Sequence, residues 1–508
     1  LKYERGFLNV SIKRPAHADA DAGRRRESAR AMQKVGRGFV RALARATTTT
    51  TTTTGQNTAT QVCSSSLKVD GCWWRRSSAP FGRRGLTTTT TKASSGGVKE
   101  SGGTPASSSE SGGRRGFGTL TTAALTAGAA AAGLRLVDAP WAEDVEFAAY
   151  GATTPILRML DAETSHNLGI AALAMGLAPR ARREDSEALS VRAFGMRFSN
   201  PVGLAAGFDK DAKAFKALLD MGFGFVEIGS VTPKPQPGNP KPRAFRLQEH
   251  GAVINRYGFN SEGHDSAKSR LSAYRSSGED AKRKGLLGVN LGKNKTTLEE
   301  NAADDYVVGV ENIGEYGDYI VVNISSPNTP GLRNLQGRKH LSGLLRKVLT
   351  ARNATPATKN KPVLVKIAPD LTDAALKDIA SVVKSEKVDG VIVSNTTIAR
   401  PDAIKAHAHG EEAGGLSGKP LMEPSTKVLH DLYKLTGGKI TLVGCGGVAS
   451  GEDVYRKIRA GASLVQLYTA FAYEGPPLIP RIKRELEECL KRDGFDSVEQ
   501  AIGAAHRK

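Results

Sequence analysis

The stretch VVNISSPNTPGL, Val321 to Leu332, passes from an apolar β-forming run into Asn323, Ser325, Ser326, Pro327 and Asn328. A buried strand that ends in small hydroxyl and amide groups offers donors and acceptors to a ligand, although ordinary turns favour the same residue types. Lys366, in LVKIAPD, sits inside another apolar run, where an ammonium is costly unless an anion meets it. No carboxylate is evident at the strand ends. Its partner is therefore a structural ion pair or a cofactor that becomes negatively charged in turnover. LVGCGGVASGED places Gly444, Gly446 and Gly447 between a strand and a helix, GGLSGKP (Gly414 to Pro420) adds a donor-rich loop, and LVQLYTAF exposes Tyr468 and Thr469 at its end. Backbone N–H groups freed by glycine, beside a helix start, form an anion site, which points to a phosphorylated ligand.

These residues need a scaffold that brings strand ends together. From about residue 200 the chain repeats short apolar runs: VGLAAGF, GFVEIGSV, LLGVNLG, YIVVNIS, PVLVKIA, GVIVSNT, ITLVGCG and LVQLYTA. Between most of them lie helix-like stretches such as DKDAKAFKALLDMG, TDAALKDIASVVKSE and SGEDVYRKIRAGA. That alternation predicts a parallel sheet, and eight β/α units over residues 186–508 predict an α/β fold, a closed (β/α)8 or TIM barrel. Nearly every run turns polar or glycine-rich at its C-terminal end, the end that forms the active face of such a barrel.

The remaining sequence is of another kind. The formal charge is +21, but residues 1–118 hold 21 Lys/Arg against 7 Asp/Glu, so the rest carries only a modest excess of base. Residues 1–115, Arg-rich, Ser/Thr-rich and acid-poor, read as a disordered transit leader for mitochondrion or plastid. Residues 116–137 contain an uncharged Ala/Gly/Thr stretch close to the length of a membrane span, and form a possible transmembrane anchor. Residues 146–180 predict two short helices broken at Pro155 and Asp161, with Leu168, Ile170, Ala171, Leu173, Ala174, Met175 and Leu177 on one apolar side. The four cysteines show neither a disulfide framework nor zinc-ligand spacing, and no metal site is expected.

The motifs NPVGLAAGFDKDAKAF, GFGFVEIGSVTPKPQPGNPKPRAFRL, NRYGFNSEG, GVNLGKNK, VVNISSPNTPGLR, LVKIAPDLT, SNTT, GGLSGKPL and IRAGASLVQLYTA occur in order. Together, over about residues 146–508, they resemble the class 2 dihydroorotate dehydrogenases, the membrane-associated, quinone-reducing form. The resemblance implies oxidation of dihydroorotate to orotate in pyrimidine biosynthesis, FMN as hydride acceptor, ubiquinone as terminal acceptor, and attachment to the mitochondrial inner membrane. It places FMN at Ala205, Ala206, Gly207, Phe208, Asp209, Ser230, Asn290, Asn323, Lys366, Ser394, Gly418, Gly447, Tyr468 and Thr469. It places the substrate at Lys210, Asn255, Arg256, Tyr257, Gly258, Phe259, Asn323, Asn328, Asn395 and Thr396, with Ser326 as catalytic base and Lys366 beside the flavin. His166, Arg246 and Tyr468 match quinone-tunnel positions.

The chemistry suits those residues. Orotate is a flat ring of amide-like groups with one carboxylate, and asparagine offers both a donor and an acceptor. Serine is a weak base, and no histidine adjoins Ser326; class 1 enzymes carry cysteine there. Strand alternation predicts that Ser325 points away from the site. A class 1 enzyme would lack residues 146–180, and an RNA-binding flavoprotein resembling dihydrouridine synthases would need a basic face on the folded part, so no nucleic acid is expected. A barrel that only binds a phosphorylated ligand would have no use for Ser326 and Lys366 in these motifs.

Overall fold

The computed structural model describes residues 139–507. The expected leader (1–115) and anchor (116–137) lie outside the described residues. Among those described, no helix is long and apolar enough to cross a membrane. The chain enters through α1 (Pro140–Leu157) and α2 (Ala162–Ala174), followed by a hairpin of β1 (Val191–Ala193) and β2 (Met196–Phe198).

Eight parallel strands then close on themselves. In chain order they are β3 (Val202–Asp209), β4 (Phe225–Val231), then, after an antiparallel insertion of β5 (Ala244–Leu247) and β6 (Ala252–Asn255), β7 (Leu286–Leu291), β8 (Tyr319–Asn323), β9 (Val363–Ile367) and β10 (Gly390–Val393). After the short β11 (Gly415–Gly418), β12 (Thr441–Cys445) and β13 (Ala462–Leu467) complete the ring, and β13 pairs back to β3. These are the eight runs read from the sequence. Their near-continuous Val, Ile and Leu content follows from burial on both faces, against the barrel interior and against surrounding helices.

The outer layer comprises α3 (Phe215–Asp220), α4 (His264–Ser276), α5 (Ala302–Ile313), α6 (Arg338–Ala354), α7 (Asp373–Ser385), α8 (Asp402–Lys405), α9 (Met422–Thr436), α10 (Gly451–Arg459), α11 (Thr469–Glu474), α12 (Leu478–Arg492) and α13 (Val498–Ala501). The first predicted helix is shortened to α3. Asp209 accepts the N–H groups of Lys213 and Ala214, both at 2.8 Å, and holds the intervening segment as a loop at the rim. GGLSG, expected as a loop, is instead the strand β11, paired with β6 over Gly415–Gly418 and Ala252–Asn255.

The end of the barrel away from the site is plugged by aromatic rings. Phe198 and Phe225 meet edge to face at 5.6 Å, and Phe194 and Tyr319 lie 6.1 Å apart. Room for them comes from glycine: a Cβ on Gly203 would stand 2.3 Å from the Phe225 ring, and one on Gly288 would stand 2.4 Å from that of Tyr319. Large side chains on one strand are thus matched by glycine on the next, as layered barrel packing requires.

The N-terminal helices attach through polar ties and through Phe147 of α1, which is buried in the main core. α1 starts at Pro140, earlier than predicted, and runs through Pro155 to Leu157, so the break falls only at the turn before Asp161. Asp161 caps α2 by accepting from Glu163 N and Thr164 N. α2 has no fully buried residue, and its expected single apolar side is divided. Ile170 and Leu173 pack on the barrel core, whereas Leu168, Met175 and Leu177 are exposed. α1 is held by Glu143, which accepts the N–H groups of Arg182 and Arg183, and by Glu146, paired with Arg182 at 2.7 Å with both side chains nearly inaccessible. Removing one partner of such a pair strands a buried charge. Glu146→Ala is expected to lower stability by about 3 kcal/mol in equilibrium denaturation; an unchanged midpoint would mean that apolar contacts alone hold α1.

Candidate active site

A cavity of about 750 Å³ occupies the C-terminal rim of the barrel and extends between α1 and α2. From β3 and its loop it gathers Ala205, Ala206, Gly207, Phe208 and Lys210, and from β4 Ser230. Asn255, Tyr257, Gly258 and Phe259 reach it from β6 and the segment that follows. Asn323, Ser326 and Asn328 come from the end of β8, Lys366 from β9, Ser394, Asn395 and Thr396 from beyond β10, Gly418 from β11, Gly447 from beyond β12, and Tyr468 and Thr469 from beyond β13. His166 and Arg246 line the helical side. Three expected residues do not face the cavity. Asp209 caps the loop described above, Asn290 lies behind Ser230, and Arg256 turns away to pair with Glu412 and stack on Phe245.

The loop after β8 is tightly specified. The Ser326 hydroxyl accepts the N–H of Asn328 at 3.2 Å, and Asn328 Nδ2 donates to Asn255 Oδ1 at 3.3 Å. Ser325 does not point away as alternation suggested. The strand ends at Asn323, and beyond it the Ser325 hydroxyl donates to Asn323 Oδ1 at 3.0 Å and accepts from Asn395 Nδ2 at 3.0 Å. Arg333 pins this loop to its neighbours by donating to Ser325 O and Thr396 O, and it pairs with Asp370 at 2.8 Å. Asp370 in turn takes the Thr397 hydroxyl and the Ile398 N–H, so one guanidinium ties three adjacent strand ends.

Two lysines give the cavity its charge. Burial pushes Lys210 down to about 8, reinforced by the Arg243 guanidinium and partly offset by Asp211, Glu163 and Asp209; its Nζ lies 4.3 Å from the centre of the Tyr257 ring. Lys366 is buried, and among the described residues no protein atom accepts a hydrogen bond from its ammonium. Its charge acts on Glu227, whose carboxyl is raised by burial and drawn back down by Lys366. His166 packs edge-on against Phe208 at 5.2 Å; burial and the charge of Lys210 push it down to about 3, so it is a neutral imidazole at physiological pH.

At the opposite wall, the backbone N–H groups of Gly447 and Val448 meet no protein acceptor among the described residues. Gly447 has φ +83°, and a Cβ there would strike the Met422 backbone at 2.3 Å, so only glycine permits this close, N–H-lined turn. The Thr469 hydroxyl donates to Ser417 Oγ at 2.9 Å and joins this wall to β11.

Residues 188–490 match the family model described as dihydroorotate dehydrogenase. The chain belongs to the dihydroorotate dehydrogenase family. It is 56% identical over 375 residues to the mitochondrial dihydroorotate dehydrogenase (quinone) of Oryza sativa subsp. japonica, covering 69% of this chain and 78% of that protein. To the mitochondrial counterpart of Mus musculus it is 53% identical over 352 residues, covering 69% and 88%. The crystal structure of dihydroorotate dehydrogenase from Eimeria tenella in complex with ferulenol aligns with a TM-score of 0.65 and 45% identity, covering 68% of this chain and 96% of that one.

Beyond the motifs that mark the family, the structure adds residues that sequence reasoning missed. Tyr150, Thr153 and Leu157 of α1 and Ala172 of α2 line the channel. Taken singly, none of them stood out from its helix. Glu227 was hidden because a single acid in an apolar strand reads as an outward-facing residue until the barrel closes around it.

A ligand carboxylate held at Lys210 would need its ammonium, which is lost as pH rises through about 8. Orotate affinity is expected to be flat below that pH and to fall by up to about tenfold per unit above it. Titration of orotate across this range checks it, and Lys210→Met should abolish both the dependence and most of the affinity.

Proposed function

We infer that this cavity performs the family's reaction. Dihydroorotate is oxidised to orotate, a step of pyrimidine biosynthesis, and the electrons leave to a quinone. The observation that carries this reading is the convergence of three walls on one space. These are a lysine and asparagine wall suited to orotate, a glycine wall suited to a phosphate, and an apolar channel between α1 and α2.

The residues fit FMN. The donor-rich turn at Gly447 and Val448, with Thr469, suits its phosphate, and Lys366, short of a hydrogen-bond acceptor, suits the end of the ring system that gains negative charge. When bound, FMN supplies the hydride acceptor. The chain's own residues do the rest. Lys210 meets the substrate carboxylate, while Asn255, Asn323, Asn328 and Asn395 pair with the ring edge. Ser326 faces the cavity with its Oγ fixed by the Asn328 N–H and receives the proton from C5 of dihydroorotate. The walls exclude water and strengthen these polar contacts. His166, Arg246 and Tyr468 border the quinone channel. Arg246 also donates to Arg158 O and Leu160 O, fixing the turn between the helices. The exposed Leu168, Met175 and Leu177 suit a membrane surface, and the relatives' names support a mitochondrial setting.

The test is anaerobic rapid mixing of the purified protein with dihydroorotate. A yellow protein whose flavin band bleaches supports the reading; absence of flavin or of bleaching overturns it. Ser326→Ala should slow bleaching by about 10²- to 10⁴-fold while orotate still binds. Ser325→Ala should also slow it, more mildly, through Asn323 and Asn395. A Ser326→Ala protein that bleaches at the wild-type rate would remove this serine as the base. The channel is tested separately. His166→Ala should slow reoxidation by a long-tailed ubiquinone while leaving bleaching by dihydroorotate intact, and equal loss of both steps would contradict a channel role.

A further inference from the structure

Between the aromatic plug and the cavity lies a buried polar layer that no step above uses. Its centre is Glu227 on β4, fully buried. Gln466 and Tyr319 donate to its Oε1, the latter at 3.2 Å, and Asn290 Nδ2 donates to its Oε2 at 3.3 Å. From Asn290 the hydrogen bonds climb to the site. Ser230 Oγ donates to Asn290 Oδ1, Asn323 Nδ2 donates to Ser230 Oγ at 2.8 Å, and Asn395 Nδ2 donates to Asn323 Oδ1 at 3.3 Å. Every donor in this chain points the same way, toward the carboxylate.

That direction has a cause. An ionised carboxylate only accepts, so the Asn290 face turned to it must be its NH2, which leaves Asn290 Oδ1 to accept from Ser230. The Ser230 hydroxyl, having spent its proton there, can only accept from Asn323. The same logic fixes Asn323 and then Asn395, whose Oδ1 is left to take the Thr396 N–H at 2.8 Å. The orientation of two amides in the candidate substrate site is therefore set jointly by a carboxylate several residues beneath it and by the Ser325 and Thr396 N–H groups that donate to Asn323 Oδ1 and Asn395 Oδ1. Hydrogen bonds linked head to tail also strengthen one another. Lys366, on β9, stands in register with Asn323 of this chain, and its charge acts on the same carboxylate.

We propose that Glu227 is a positioning residue with two effects. It anchors the acceptor end of the Asn290, Ser230, Asn323 and Asn395 chain, and it supplies negative charge opposite the Lys366 ammonium at the site where a flavin would bind. The proposal rests on the reading of the cavity as a flavin and dihydroorotate site. In Glu227→Gln the shape is kept and Gln466, whose Oε1 has no partner, can turn to accept from the new NH2, but the acceptor left to Asn290 is neutral, so the charge-assisted end of the chain is lost and Asn290, Ser230, Asn323 and Asn395 are held less firmly. At the same time Lys366 loses its opposing charge, which favours negative charge on the flavin.

The experiment uses the full chain with its flavin, measuring orotate affinity by spectral titration and flavin reduction potential by dye equilibration. A wild-type protein without flavin or orotate binding overturns the functional reading itself. Given a loaded wild type, Glu227→Gln is expected to weaken orotate binding by about tenfold and to shift the potential upward, and failure of either to move overturns the proposal. If Glu227→Gln does not fold, Tyr319→Phe replaces it. Loss of one donor makes the carboxylate easier to protonate, so the same two changes are expected at smaller size, and wild-type values for either overturn the proposal.

Discussion

Closing eight parallel strands into a ring imposes the constraint from which the rest of this molecule follows. A closed sheet has no free edge, and all its C-terminal ends meet at one rim. Polar groups at those ends, separated by up to about 260 residues in sequence, become neighbours around a single cavity. The tie from Tyr468 to Gly207 O, across the seam where β13 meets β3, joins the last strand to the first. Any change that opens the ring would scatter the site before touching a catalytic group.

The interior of the ring then has to be filled. Its lower part is aromatic, with glycine opposite the Phe225 and Tyr319 rings, and this excludes water from the layer above. In that dry layer a carboxylate with three donors costs less than an unpaired one and also acts further, because little solvent screens it. The polar column from Glu227 to Asn395 and the ammonium of Lys366 both depend on this low-dielectric floor. The rim is fixed by different means. Arg333 crosses the loop containing Ser326 to the ends of β9 and β10, using a planar fork of donors where a single-point cation would hold one partner.

The eight barrel strands were legible because strands buried on both faces are continuous apolar runs, and their polar ends were legible because polar residues interrupt those runs abruptly. What escaped was whatever the ring itself creates. Lys366 was visibly short of a counter-ion, but Glu227 lies on a strand separated from it in the ring by two others, a distance that no local pattern encodes. Ser325 was misjudged because alternation holds only while the strand lasts, and β8 stops two residues earlier. β11 was taken for a loop because Gly415 and Gly418 weaken its strand propensity; pairing with β6 overrides that preference.

The two sides of the cavity are built to different standards, and the division matches what each has to do. Proton and hydride removal tolerate only displacements well under 1 Å before rate is lost, and the residues proposed for that chemistry stand on the ring, locked by the amide chain and Arg333. A long-tailed quinone needs a passage that admits and releases it. There α2 contributes no fully buried residue, and its orientation comes from Glu163, which is salt-bridged to Arg243 at 2.8 Å, and from Arg246 on the turn that precedes it. The helix is anchored at one end by ion pairs, while its apolar residues are shared between barrel core, channel and surface. The rigid half sets the chemistry and the polar-hinged half sets access. Arg243 couples them directly, because it holds Glu163 of α2 while its guanidinium lies 5.2 Å from the centre of the same Tyr257 ring that Lys210 covers.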